Sequence, residues 1–214
     1  YITGDTHGGF QRFGMKYFPE QKEMSREDCV IITGDFGGLW GGTPAEKYWL
    51  DWLEDKPFTT AFLDGNHENF TMLNALPERR WHGGRVHEAR PHVLHLMRGQ
   101  VFDIEEYTFF TMGGASSHDI QDGVLDPEEV DFEERYWRMR RARAMFRVKG
   151  VSWWPEELPS DEEYKEAEKN LDAHGWAVDY ILTHCAPTSI TQKIFPDAQA
   201  DQLTDFLEEI KNRA

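Results

Sequence analysis

Cysteine is nearly absent from the chain, with Cys29 and Cys185 alone among 214 residues. Two thiols cannot build a disulfide framework, so the expectation is a reducing, cytoplasmic setting. Long apolar runs are missing too. None approaches the roughly 18 residues that a membrane helix needs, and no secretory h-region is visible, so no membrane partner is expected. Basic residues are scarce beside acidic ones: 23 Lys and Arg against 39 Asp and Glu leave a formal charge of −16. That balance disfavours a non-specific nucleic-acid coat, while leaving room for a local basic groove. Internal repeats, low-complexity tracts and Pro/Gly-rich linkers are also lacking.

What is present is ordinary globular material, 39% hydrophobic and 14% aromatic, which excludes disorder as the default. The length suits a single domain over residues 1–214. Thr43-Pro44-Ala45-Glu46 reads as a capping box with Pro at the first helical position. Ser160 to Glu163 reads as a second box, heading a helix to about His174. Asp126-Pro127-Glu128-Glu129 predicts a third helix start, and Ala200, Leu203, Leu207 and Ile210 mark a C-terminal helix. β-rich runs fall at Cys29–Thr33, Thr59–Leu63, Val93–Leu96, Val101–Ile104, Tyr107–Met112 and Val178–Thr183. Strands alternating with helices predict an α/β fold, with a mainly helical insertion at about 114–160.

The strand ends repeat one chemistry. Gly4-Asp5-Thr6-His7 follows the short run Tyr1-Ile2-Thr3, Gly34-Asp35 follows Cys29–Thr33, Asp64-Gly65-Asn66-His67-Glu68 follows Thr59–Leu63, and His184-Cys185 follows Val178–Thr183. Ligands of α/β sheets bind at such C-terminal strand ends. Carboxylate, imidazole and amide oxygens together suit divalent Mn, Fe, Zn, Co or Ni, and a carboxylate can bridge two such ions. A Gly-Asp pair after a strand is also an ordinary turn. Four of these segments, each at a strand end, point to a shared site instead.

These ordered blocks resemble the calcineurin-like metallophosphoesterase superfamily, over about residues 2–187: Asp5 and His7, then Gly34-Asp35, then Gly65-Asn66-His67-Glu68, then His184. The resemblance implies a four-layer α/β/β/α sandwich with mixed sheets and two divalent metal ions. It places Asp5 and His7 on one metal, Asp35 between the two, and Asn66 and His184 on the other. His67 would then assist the leaving group. The implied activity is hydrolysis of a phosphodiester or a small phosphomonoester, on a small phosphorylated substrate or nucleotide. The competing readings are a catalytically degenerate binding module and a nuclease of the same superfamily.

Two departures stand out. No histidine follows His184, so the family's closing Gly-His-x-His block is missing. Phe206 to Ala214 read as the middle or end of a helix, and Tyr1-Ile2-Thr3 as half a strand, so the sequence is expected to continue at both ends. In addition, Gly38 and Leu39 stand where the family's protein phosphatases carry an Asp, which orients the histidine, and a phosphate-binding Arg. Their loss argues against a protein phosphatase, because a dianionic monoester benefits from a bidentate clamp.

Other signals are weaker. Arg135, Arg138, Arg140, Arg141, Arg143, Arg147 and Lys149 form a basic stretch, read as the solvated face of a helix with pairs such as Glu134–Arg138. His118 stands near a strand end but reads first as a loop residue. His87, His92 and His95 lack metal-site spacing. Trp153 and Trp154 read as core filling, and Cys185 as packing.

Overall fold

The computed structural model describes all residues, Tyr1–Ala214. Strands β1 (Ile2–Thr3), β2 (Cys29–Thr33) and β3 (Thr59–Leu63) lie side by side in parallel. Unbroken apolar and β-branched runs such as Cys-Val-Ile-Ile-Thr belong to strands covered on both faces, and four of the five residues of β2 and all of β3 are buried. Helix α1 (Pro44–Glu54) connects β2 to β3. It opens at Thr43, whose hydroxyl accepts from the Glu46 amide while the Glu46 carboxylate accepts from the Thr43 amide. After the short α2 (Phe70–Leu73) come β4 (Glu78–Trp81), β5 (Gly84–Arg90) and β6 (Val93–Leu96), which complete a mixed six-stranded sheet in the order β1-β2-β3-β6-β5-β4.

A second sheet begins with the antiparallel pair β7 (Gln100–Ile104) and β8 (Tyr107–Met112). The chain then leaves the sheet through the small parallel ladder of β9 (Val124–Leu125) and β10 (Arg147–Val148), with α3 (Phe132–Ala142) between them. It returns through α4 (Asp161–Ala173) to β11 (Tyr180–Thr183), which lies parallel to β8, and ends in α5 (Thr188–Ile194) and α6 (Gln202–Arg213).

Alternation along the strands sorts the apolar side chains into three cores and so makes four layers. Val30 and Ile32 of β2 and Phe62 of β3 face Leu50 and Leu53 of α1. Ile31, Ala61 and Leu63 face the other way, onto Phe102, Ile104 and Leu182 of the second sheet. Val101, Phe110 and Met112 then pack under Ala167 and Leu171 of α4 and Leu203, Leu207 and Ile210 of α6. Each fully buried Leu, Ile or Phe contributes about 1.5–3 kcal/mol, so every layer is tied to the next through many such contacts. The α/β/β/α sandwich with mixed sheets is therefore present.

Three expectations need correction. The hairpin of β4 and β5 was not anticipated, because Glu78-Arg79-Arg80 carries no apolar alternation; the turn signal was His82-Gly83, both at positive φ. The helix expected from Asp126 begins at Phe132 instead, because the Asp126 carboxylate accepts from the Glu128 amide and pairs with Lys149, holding 126–131 as turns. Segment 114–160, expected to be mainly helical, has its α-helix only at Phe132–Ala142; the rest is loop, the two-residue strands and a 3-10 turn at Pro155–Glu157.

Beneath the strand ends lies a buried polar network. Arg98 donates through Nε and Nη2 to one oxygen of Asp64 at 2.8 and 2.6 Å, and His95 Nε2 lies 3.0 Å from the other. His95 Nδ1 meets His87 Nδ1 at 3.0 Å, so these two histidines serve the core, whereas His92 is only half-buried. Burial alone would raise the Asp64 carboxyl, but Arg98 and the His95 hydrogen bond hold it well below the usual carboxylate range. Removing one partner strands the other charge without water. Asp64→Ala and Arg98→Met should each lower stability by about 3–5 kcal/mol, and together by less than the sum. Denaturation midpoints measure this, and additive losses would show that the two do not act as a pair.

Candidate metal centre

The loops after β1 and β2 lie on one another. The amides of Thr6 and His7 donate to the Asp35 carbonyl at 3.2 and 2.8 Å, and the Gly8 amide donates to the Phe36 carbonyl at 3.0 Å. This approach requires Gly37, where a Cβ would stand 2.5 Å from both the Gly8 nitrogen and the His7 carbonyl carbon. Phe36 stacks on Phe62 at 3.9 Å and anchors the second loop in the core. His7 and Asp35 are themselves held at φ of 44° and 47°, a conformation that side-chain-bearing residues seldom adopt and that clusters at functional sites.

The result is a cluster. One ligand atom each from Asp5, His7 and Asp35 lies within 4.8 Å of the others. His7 Nε2 stands 3.5 Å from Asp35 Oδ2, and His184, brought in from β11, places Nε2 3.6 Å from Asp35 Oδ1 and Nδ1 3.8 Å from Asp5. Asp35 is buried, whereas Asp5 and His7 are exposed, so the cluster opens to solvent on the β1 side.

His184 supplies the test of fit for a cation. Its Nδ1 lies 2.9 Å from the Thr33 carbonyl, which only accepts, so Nδ1 is the donor to it, and Nε2 is the nitrogen that faces the Asp35 carboxylate, 3.6 Å from Oδ1. A carboxylate and an imidazole nitrogen turned to one point make a donor set suited to a divalent ion, and a ring fixed by a backbone carbonyl is the usual arrangement of a ligating histidine. The β3 loop is pressed onto the same point: a Cβ at Gly65 would fall 2.1 Å from Asp35 Oδ1 and 2.8 Å from His184 Nε2. The residues fit a divalent cation.

The remaining candidates follow from this loop. The His67 amide donates to Asp35 Oδ1 at 2.9 Å, and its ring lies 5.6 Å from the ring of His7. The Asn66 amide nitrogen donates to Ser117 Oγ at 3.2 Å. Glu68 is buried and accepts from the Phe36 amide at 2.8 Å, joining the second and third loops; burial pushes its carboxyl up to about 8.

Glycine at position 38 has a steric reason, since a Cβ there would meet the Phe36 ring at 2.5 Å, and Leu39 is in the core. The partner of His67 comes instead from segment 114–160. Arg147 Nη2 lies 3.1 Å from His67 Nδ1 and 3.4 Å from Nε2, and the same guanidinium holds Asp119 with two hydrogen bonds of 2.7 and 2.5 Å. Burial and the Arg147 charge lower the His67 pKa, against a raising effect of Asp35. Sequence reasoning placed Arg147 on a solvated helix face. It lies beyond the helix, on β10, and the available signal was Val148, a buried apolar residue beside it. His118 is exposed, with Asp119 turned to Arg147 instead. Burial pushes the Cys185 thiol up to about 12 and it packs against the outer core.

An α/β/β/α sandwich with carboxylates and imidazoles gathered at parallel strand ends defines a class of metal-binding scaffold. A family model described as calcineurin-like phosphoesterase matches residues 1–207, and the chain belongs to that family. No curated protein and no solved structure shows significant similarity to it. Members of the family bind divalent metals, and the Asp5, His7 and Asp35 cluster is the candidate place for them here. No helix is long and apolar enough to cross a membrane.

A ligand that binds only the folded chain stabilises it by about 2.7 kcal/mol at a hundredfold excess over Kd. Mn ions at saturating concentration should therefore raise the melting temperature, and a chelator should reverse the rise. Asp35→Asn should abolish the response, with elemental analysis of the desalted protein as the direct check.

Proposed function

We propose that the chain is a phosphoester hydrolase acting with two divalent ions, one held by Asp5, His7 and Asp35 and the other by Asp35, Asn66 and His184. The observation that carries this reading is His184 Nε2 standing 3.6 Å from one oxygen of a buried carboxylate while His7 Nε2 stands 3.5 Å from the other. When bound, such ions supply an activated water and offset charge on the phosphoryl oxygens.

The chain's own groups do the rest. Asp35 is kept in place by its neighbours, with its carbonyl taking two amides of the first loop and its carboxylate the His67 amide. The Arg147 guanidinium only donates and lies 3.1 and 3.4 Å from the two ring nitrogens of His67, so it holds the ring without choosing its tautomer. The ring nitrogen turned to the substrate offers a hydrogen bond to the departing oxygen.

The substrate class follows from charge. The Arg147 guanidinium is already paired with Asp119, and the whole chain carries −16, so nothing described at the site clamps a dianion. A phosphodiester with one negative charge, or a small phosphorylated metabolite or nucleotide, suits this site better than a phosphoprotein. A cavity of about 590 Å³ has Cys185, next in sequence to His184, and Ser116, next to Ser117, in its lining, and would take the organic part of the ester.

With Mn present, the wild-type protein should hydrolyse bis(p-nitrophenyl) phosphate faster than p-nitrophenyl phosphate. His67→Ala should lower kcat by about 10²–10⁴-fold while metal content stays unchanged. A metal-loaded wild type that cleaves neither ester would overturn the reading and leave a binding module.

A further inference from the structure

We infer that Ser117 and Glu157 form a positioning relay that fixes which end of the Asn66 side-chain amide faces the cation; this rests on the metal site proposed above. An amide offers an oxygen at one end and a nitrogen at the other, of nearly the same shape, and only the oxygen can ligate a cation. Something must decide between the two orientations, and Asn66 sits in a loop with no regular hydrogen-bond ladder of its own.

The choice is made two bonds away. Glu157 is buried, and both of its carboxylate oxygens accept from Ser117, Oε1 from the backbone amide at 3.0 Å and Oε2 from the hydroxyl at 2.5 Å. A serine hydroxyl has one proton. With that proton committed to Glu157, Ser117 Oγ can only accept, and it accepts from Asn66 Nδ2 at 3.2 Å. The reversed amide would set its oxygen against an oxygen that has no proton to give. The Asn66 oxygen is thereby turned away from Ser117, and it takes no hydrogen bond within the protein.

The relay is built into the frame that supports the site. Ser117 lies near the start of segment 114–160 and Glu157 near its end, and they are joined by the Ala115 amide donating to the Glu157 carbonyl at 3.1 Å. Gly114, at φ +92°, permits the approach, because a Cβ there would stand 2.5 Å from that carbonyl oxygen. Arg98 donates to the carbonyls of Glu156 and Glu157 as well as to Asp64, two residues before Asn66. One buried guanidinium therefore sets both ends of the relay against each other.

The test is Mn binding to the full chain, measured by isothermal titration for the wild type and for Ser117→Ala, Ser117→Thr and Glu157→Gln, with urea midpoints taken on the metal-free proteins. Loss of an outer partner of a ligand typically costs 10–100-fold in metal affinity. Ser117→Ala leaves the buried Glu157 Oε2 without its donor, so its urea midpoint should fall. At the titration conditions, where it remains folded, it should still lose at least tenfold at one ion, and Ser117→Thr, which keeps the hydroxyl, should bind like the wild type. Glu157→Gln should lose as much or more, because a Gln NH₂ donates to Oγ and reverses the whole chain of donors. If Glu157→Gln does not fold, the Ser117 pair still decides. Equal affinity in Ser117→Ala and the wild type overturns the relay alone; a wild type that binds no Mn overturns the hydrolase reading and the relay with it.

Discussion

Asp35 is the point at which three loops far apart in sequence meet. Its carbonyl receives amides of the first loop, its carboxylate receives an amide of the third, and the imidazoles of His7 and His184 close on its two oxygens. The residue is almost fully buried and sits at positive φ, between a glycine at +111° and the Phe36 ring anchored in the core. A buried carboxylate is costly unless donors or a cation surround it. The surrounding structure meets that need partly with amides and leaves the remaining lone pairs turned toward the same small space as those of its neighbours. The packing of the strand ends and the chemistry of the centre are therefore one problem with one solution.

The fold was legible where burial is two-sided or caps are explicit. β2 and β3 announce themselves as apolar runs, and α1 and α4 as capping boxes, because those features are local. The strand-end side chains Asp5, His7, Asp35 and His184 were legible for a related reason: parallel strands deliver their following loops to one edge, so sequence order becomes spatial proximity. What escaped was carried by single residues from irregular backbone. Arg147, Asp119, Ser117 and Glu157 reach the centre across 28 to 80 positions of sequence, through hydrogen bonds that no periodicity foreshadows. The β4–β5 hairpin escaped because its first strand is half-exposed and charged, so the strand signal was reduced to a turn.

Segment 114–160 looks from its sequence like an appendage, and its helix α3 buries no side chain completely. Its two roots are different. Ser117 and Asp119 at one end, and Arg147 and Glu157 at the other, face the residues that follow β3. The sheets thus set the backbone of the third loop, while this segment sets the polarity and orientation of the side chains on it. A site divided in this way places the exposed residues of α3 away from the centre and the hydrogen-bonding side chains of the two roots against it.

The hydrogen bond between His184 and the Thr33 carbonyl spans 151 positions. A chain is made from its N-terminus and folds as its units emerge. Asp5, His7 and Asp35 leave the ribosome early, yet the ring that faces Asp35 arrives only after both sheets and the segment between them have been synthesised. Until β11 docks, Asp5, His7 and Asp35 can gather only as an open cluster, and His184 is the side chain that closes it over Asp35.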